Sequence, residues 1–269
     1  MTTIRDNNLN KEKAPKRPFG TKEWADVNFN FINGCSHDCK YCYSKEMAIR
    51  FERKSPDTWK DEELRINDLT KTISIKNKLV MFPSSHDITP KYLNESITII
   101  KKLIDSQNKV LIVTKPHFEC VKKICRTFDK EKNNILFRFT IGSSNSSILK
   151  FWEPGAPSFQ TRIKSLKYAF EMGFTTSVSC EPMLDYNIEK LIQKILPFIT
   201  DSIWIGNANF LIKRLRTNGI TDQETIKKAN ELVIWQSNKD NILRIYDLYK
   251  NNKKIKWKDS IQKILDKHI

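Results

Sequence analysis

No run in the chain approaches the roughly 18 consecutive apolar residues of a membrane-spanning helix. The stretch from Met1 to Arg17 is polar and basic, without the apolar centre of a secretory leader. Neither a membrane span nor secretion is expected, and the cytoplasm is the expected compartment. Cysteine is too sparse for a disulfide framework: six in 269 residues is not the pattern of a small secreted domain. Acidic side chains are also short, with 31 Asp and Glu against 47 Lys and Arg and a formal charge of +16 at pH 7. A field of that sign draws polyanions, so nucleic acid or a nucleotide is an expected partner. The abundance of Lys, Asn and Ile equally fits AT-rich coding sequence. Hydrophobic residues make up 39% of the chain, low but sufficient for a core, and the length allows one large domain or two ordinary ones.

What is present is concentrated in Gly34-Cys35-Ser36-His37-Asp38-Cys39-Lys40-Tyr41-Cys42-Tyr43. Three cysteines stand at CxxxCxxC spacing, between a strand-like run (Val27 to Ile32) and a helix-like one (Ser44 to Arg53). So short a loop can wrap three sulfurs around one metal centre with little closure entropy. A closed zinc or iron–sulfur site takes four protein ligands. With no fourth cysteine nearby, a metal here keeps an open position, where chemistry can occur. A structural zinc completed by His37 or a distant cysteine is the alternative. Cys120 and Cys125 sit five apart on a predicted helix, on different faces, which argues against a second cluster there.

From Lys78 onward strand-like and helix-like runs alternate. Strands are expected near 27–32, 78–82, 110–114, 135–141, 175–180 and 202–206. Helices are expected near 57–69, after Thr89-Pro90, and over 117–129, 158–172 and 188–199. Six such repeats demand a parallel sheet covered on both faces or curled into a barrel. The expected fold is α/β, a partial (β/α)6 TIM-type barrel, with a doubly wound sheet as runner-up. Its ligand site belongs at the carboxyl ends of the strands, where the cysteine loop also lies. The expected division is a basic arm at 1–20, the barrel at 21–210 and a basic helical extension at 211–269. Residues 212–269 carry fourteen Lys and Arg against seven Asp and Glu, and helices are expected there near 222–236, 239–251 and 258–267.

The cysteine motif, with its aromatic before the last cysteine and its place after strand one of an alternating chain, resembles the radical SAM superfamily. A narrower resemblance spans about 27–206. The sequence from Gly34 to Tyr43 resembles the GCxHxCxYCY form of the spore photoproduct lyase-like group, often labelled DNA repair photolyases. Ser84-Ser85-His86-Asp87-Ile88-Thr89-Pro90, Val113-Thr114-Lys115 and the stretch Glu153 to Arg162 (EPGAPSFQTR) are similar to further segments of that group, in the same order.

The resemblance implies a lyase-type or modifying enzyme in which Cys35, Cys39 and Cys42 hold a 4Fe–4S cluster whose fourth iron binds S-adenosylmethionine. It further implies an electron donor such as flavodoxin or ferredoxin. Tyr41 would pack on the adenine and Tyr43 would line the same pocket. Ser84 and Ser85 would meet the methionine amino group, Lys115 its carboxylate or the ribose, and Thr140 or Ser143 the ribose hydroxyls. Glu153 and Arg162 would form an ion pair fixing their loop, or touch the cofactor directly. Spore photoproduct lyase carries a hydrogen-donating cysteine at the end of strand two. Here that stretch reads Met81-Phe82-Pro83-Ser84-Ser85-His86, so thymine-dimer reversal by that route is not assigned. Cys180, ending the fifth predicted strand, is a substitute donor or a buried core thiol. His86 and Asp87 are candidates for proton transfer, Asp87 alternatively capping the helix that follows. A radical SAM activase acting on a protein partner and a non-catalytic, metal-stapled nucleic-acid binder are the rival readings.

Overall fold

The computed structural model describes Pro18 and residues 20–267. Most of the expected basic arm lies outside the described residues. The chain enters the sheet with β1 (Val27–Asn28), then leaves it for β2 (Ile32–Asn33), helix α1 (Tyr43–Arg50), β3 (Glu63–Leu64) and α2 (Ile66–Thr70). It returns through β4 (Leu79–Phe82), α3 (Leu93–Asp105), β5 (Lys109–Thr114), α4 (Phe118–Thr127) and β6 (Ile135–Thr140). Next come α5 (Ser146–Trp152), α6 (Phe159–Glu171), β7 (Thr175–Cys180), α7 (Ile188–Ile195) and β8 (Ile203–Ile205). The last part holds α8 (Leu211–Thr217), α9 (Gln223–Ser237), α10 (Lys239–Tyr249), β9 (Ile255–Trp257) and α11 (Asp259–Leu265). No helix among the described residues is long and apolar enough to cross a membrane.

Seven strands form one sheet in the order β1-β4-β5-β6-β7-β8-β9, and every pair in it is parallel. Each connection runs forward to the neighbouring strand, which is the winding of a partial TIM-type barrel. β1 and β9 remain edges, so the barrel is open. The seventh strand is an addition to the expected six and falls inside the expected helical extension. It is three residues long and flanked by Lys253, Lys254 and Lys258, so it carries almost no periodic signal of its own.

The expected first strand is cut in two. After Asn28 the chain turns so that Ile32 and Asn33 pair antiparallel with Leu64 and Glu63. The expected helix at 57–69 is replaced by turns, β3 and the short α2. The segment after β6 contains α5, an element outside the expected strands and helices, capped by the Asn145 side chain.

Side chains of one parity along the strands, including Phe82, Ile112, Phe137, Phe139, Val178, Cys180 and Ile205, join the helices in a single apolar core. The other face carries polar and indole side chains. Arg138 donates to Ser177 at 2.9 Å and lies over Trp24 at 4.9 Å and Trp204 at 5.4 Å. Fully buried Lys258, just past β9, meets Glu23 at 2.8 Å and Glu181 at 3.3 Å. Because Glu23 precedes β1, this contact ties the two edges of the open barrel together.

Candidate cluster and cofactor site

The loop from Gly34 to Cys42 is gripped from several sides. Gly34 adopts φ +91°, and a Cβ there would lie 2.5 Å from the Asp61 carbonyl oxygen, so only glycine fits. Cys35 N–H donates to the Trp59 carbonyl at 2.9 Å. Buried Glu62 accepts from Ser36 N–H at 3.0 Å and Ser36 Oγ at 2.9 Å, and its other oxygen accepts from Thr89 at 3.0 Å. On the far side the turn after α5 lies against the loop backbone to backbone. Gly155 N–H donates to the His37 carbonyl at 3.0 Å, and Lys40 N–H to the Trp152 carbonyl at 2.9 Å.

Cys35, Cys39 and Cys42 are free thiols, close enough that Cys39 and Cys42 act electrostatically on Cys35. Burial is the largest cause raising all three thiols, Cys39 to about 12. Such groups stay protonated unless a metal draws the thiolate form. Cys42 is also the N-cap of α1, its Sγ accepting Lys45 N–H at 3.4 Å, a position whose dipole favours a thiolate. Among the described residues, no three His, Cys, Asp or Glu side chains stand together as a site for a single metal ion. A multi-iron cluster, in which each thiolate bonds a different iron, takes sulfurs set further apart than one ion does. Two buried thiols and the half-buried Cys42, with no fourth protein ligand beside them among the described residues, are a donor set that fits a cluster with an open iron.

The cysteines stand beside the carboxyl ends of β4, β5 and β6. Lys115, directly after β5, lies 5.9 Å from the Tyr41 ring centroid, and its ammonium makes no ion pair among the described residues. Burial works against its charge, but Cys39, Glu153 and Asp87 outweigh that and hold it above the ordinary lysine range. The Tyr41 hydroxyl donates to Glu153, whose other oxygen is paired with Arg162; both charged side chains are fully buried. Arg162 also donates to the carbonyls of Pro157 at 2.8 Å and Thr140 at 3.0 Å. Burial raises the Glu153 carboxyl, but Arg162 and then Lys115 bring it below its ordinary value. Glu153 and Arg162 thus form the ion pair that fixes the loop after β6, and the same pair fixes Tyr41.

Ser84 and Ser85, after β4, offer backbone N–H groups to the Asn30 side-chain oxygen at 2.7 and 2.8 Å, and Asn30 Nδ2 donates to Ser84 Oγ at 2.9 Å. The Tyr43 hydroxyl donates to the Ser84 carbonyl. Asp87 accepts from Ile88 N–H at 2.8 Å, Lys115 N–H at 2.9 Å and the Thr114 hydroxyl. Its carboxyl is held well below the usual range: burial opposes this, but His37, Lys115 and Thr114 outweigh it. His37, inside the cysteine motif, has Nδ1 3.2 Å from Asp87, at ion-pair distance without the alignment of a hydrogen bond, and Nε2 2.9 Å from His117 Nε2. His86 accepts from Phe31 N–H through Nε2 at 3.4 Å and faces the Asp87 carbonyl through Nδ1 at 3.0 Å. With both nitrogens committed to backbone and burial lowering its pKa to about 4, it is a neutral Nδ1–H imidazole.

The fold therefore gathers Cys35, Cys39, Cys42, Tyr41, Tyr43, Ser84, Ser85, Asp87, Lys115, Glu153 and Arg162 at one edge. Ser143 is buried and donates to Asp185, and Thr140 offers its carbonyl to Arg162. Cys180 is not brought to the cluster: it is fully buried in the apolar core, on the face of β7 shared with Val178. Asn30, Glu62 and His117 belong to the site and are absent from the sequence expectation. Only a polar residue between Phe29 and Phe31 hinted at Asn30.

Comparison with known proteins agrees with this geometry. Residues 29–194 match the family model of the Radical SAM superfamily. An uncharacterized protein of Methanocaldococcus jannaschii is 29% identical over 194 residues, 70% of this chain and 72% of that one. An uncharacterized protein of Acidianus two-tailed virus is 27% identical over 176 residues, 61% of this chain and 57% of that one. A spore photoproduct lyase variant solved with dinucleoside spore photoproduct superposes with a TM-score of 0.56 at 12% identity, over 86% of this chain and 80% of that one. Streptococcus suis SuiB bound to S-adenosylmethionine superposes with a TM-score of 0.51 at 14% identity, over 86% of this chain and 49% of that one. The fold is shared with both, and the match over most of the barrel places the chain in the radical SAM superfamily, as an enzyme built on a partial TIM-type barrel.

Proposed function

We propose that this radical SAM enzyme holds a 4Fe–4S cluster on Cys35, Cys39 and Cys42 and acts on a nucleic acid or nucleotide. The observation that carries the reading is the meeting of two buried thiols and the half-buried Cys42 with a Lys115 ammonium that has no ion pair among the described residues and lies over Tyr41. When bound, a cluster held by Cys35, Cys39 and Cys42 would supply the one electron that reductive cleavage of S-adenosylmethionine needs, the chemistry that opens hydrogen abstraction from a substrate. Lys115 neutralises the methionine carboxylate. Ser84 and Ser85, pinned by Asn30 and Tyr43, meet its amino group. Tyr41, locked by Glu153 and Arg162, offers a fixed face to the adenine. Thr140 or Ser143 would meet the ribose hydroxyls. Asp87 orders the cysteine loop and Lys115 through four neighbours. His86, a neutral imidazole, bridges the Phe31 N–H and the Asp87 carbonyl, and Cys180 stays out of the reaction.

For the substrate, the support is charge and exposed rings. The chain carries +16, and Tyr43, Tyr186 and Phe210 are exposed large apolar residues on segments following strands at the same end of the barrel. Exposed aromatic faces on a chain of this net charge suit stacked bases. The compartment proposed is the cytoplasm, with a small electron-transfer protein such as flavodoxin or ferredoxin as reductant.

Anaerobic reconstitution tests the reading. About four irons and four sulfides per chain are expected, with 5′-deoxyadenosine formed on reduction and formed faster with single-stranded nucleic acid. Stoichiometric zinc would overturn the cluster. Stimulation that survives nuclease and follows a protein fraction would transfer the enzyme to the activase reading.

A further inference from the structure

Residues 211–225 lie beyond the span matched by the family, yet they reach back to the cysteine loop. Asn218, 2% exposed at the end of α8, donates through Nδ2 to the carbonyl of Lys40 at 2.9 Å and of Cys42 at 3.0 Å. One amide therefore holds the Lys40–Tyr41 and Cys42–Tyr43 peptides, which bracket Tyr41 and Cys42. The Asn218 side-chain oxygen is buried without a partner, so the residue is kept for its donor function at the expense of an unsatisfied acceptor. Two further links run the same way. Lys40 Nζ donates to Thr225 at 3.2 Å, and Arg214 pairs with Glu46 of α1 at 3.3 Å.

We infer that Asn218 is a positioning residue for the cluster loop, through which the C-terminal segment sets the register of Tyr41 and Cys42. The inference rests on the proposal that these cysteines hold the cluster. The physical reason is local. The Cys42 carbonyl accepts the first helical bond of α1, from Glu46 N–H at 3.2 Å, while Cys42 Sγ caps the same helix. A peptide free to rotate there would move the sulfur and the adenine platform together. With Asn218 in place, the sulfur keeps its bond from Lys45 N–H, and such bonds to ligand sulfurs tune the potential of an iron–sulfur centre.

The test uses the full chain as Asn218→Leu, which loses both donors at similar size, and Asn218→Asp, which sets an acceptor against two carbonyls. Hydrogen exchange on the metal-free proteins reads the loop directly. Exchange of the 38–46 amides should rise about tenfold or more in both variants, the consequence of losing two buried hydrogen bonds, while exchange in β5 and β6 stays unchanged. After reconstitution, the reduced-cluster EPR spectrum and the midpoint potential should shift at unchanged iron content. Wild-type exchange and spectra in both variants would overturn the inference. Global loss of protection in both would assign Asn218 to the fold as a whole and overturn it equally. Zinc in the wild-type protein would refute the cluster proposal instead, and the metal-free exchange result would still stand on its own.

Discussion

Lys115 and His86 show how differently two polar residues at one strand-end edge are used. Lys115 is a cation surrounded by Cys39, Glu153 and Asp87 without an ion pair to any of them, which leaves its ammonium for a ligand. Replacing it by Met should weaken S-adenosylmethionine binding roughly ten- to hundredfold, the size of one charge-assisted hydrogen bond, at unchanged iron content, as measured by calorimetric titration. His86 is sealed between backbone groups, and burial lowers its pKa from 6.5 to about 4. Its folded pKa lies below its unfolded one, so the unfolded chain binds the extra proton. Stability is then complete above about pH 6.5 and is lost as the pH falls toward 4, by an amount of order 3 kcal/mol. Denaturant melts of the metal-free protein should show this slope, and His86→Asn should flatten it. Lys115 was readable because an apolar strand ends on it. The confinement of His86 was not, because its partners, the Phe31 N–H and the Asp87 carbonyl, are backbone groups that no side-chain pattern records.

Among the elements, the alternation of apolar runs with amphipathic ones was legible from Leu79 to Ile205, where strand parity and helix caps repeat the same message at every step. Legibility failed at the two edges of the sheet, where short strands lean on a single neighbour. β1 has two residues and β9 three, and each is held by its neighbour in the sheet rather than by its own pattern. The cysteine loop belongs to the same class. Its spacing announced a metal centre, but its rigidity comes from distant partners: Glu62, Asn218 and the turn after α5. Gly155 makes this testable. A Cβ there would lie 2.1 Å from the Ser36 carbonyl oxygen and 2.9 Å from His37 Cα, both fixed backbone. Gly155→Ala should therefore displace the cluster loop, lowering iron retained after reconstitution several-fold while the far-ultraviolet circular dichroism of the barrel persists. Full iron loading in that variant would mean the loop tolerates the shift.

On the scale of the whole molecule, an open barrel of seven strands is closed at its edges by Lys258 and Glu23, and the reacting chemistry is confined to one end. The C-terminal segment adds β9 to one edge of the sheet and reaches the cysteine loop through Asn218. The charge of +16 belongs to this scale as well. If about six phosphates are neutralised on binding, affinity for single-stranded nucleic acid should fall roughly three-hundredfold between about 50 and 200 mM salt, as read by fluorescence anisotropy. A flat salt response would assign the excess lysine to composition alone.

The central claim is that Cys35, Cys39 and Cys42 hold a cluster that cleaves S-adenosylmethionine. The most direct measurement is 5′-deoxyadenosine formed by the anaerobically reconstituted, dithionite-reduced protein, beside the variant with all three cysteines changed to Ala. The account predicts nucleoside from the first and none from the second, with iron lost in parallel. A loaded cluster that yields no nucleoside under any reductant, or equal yield from the variant, would contradict it.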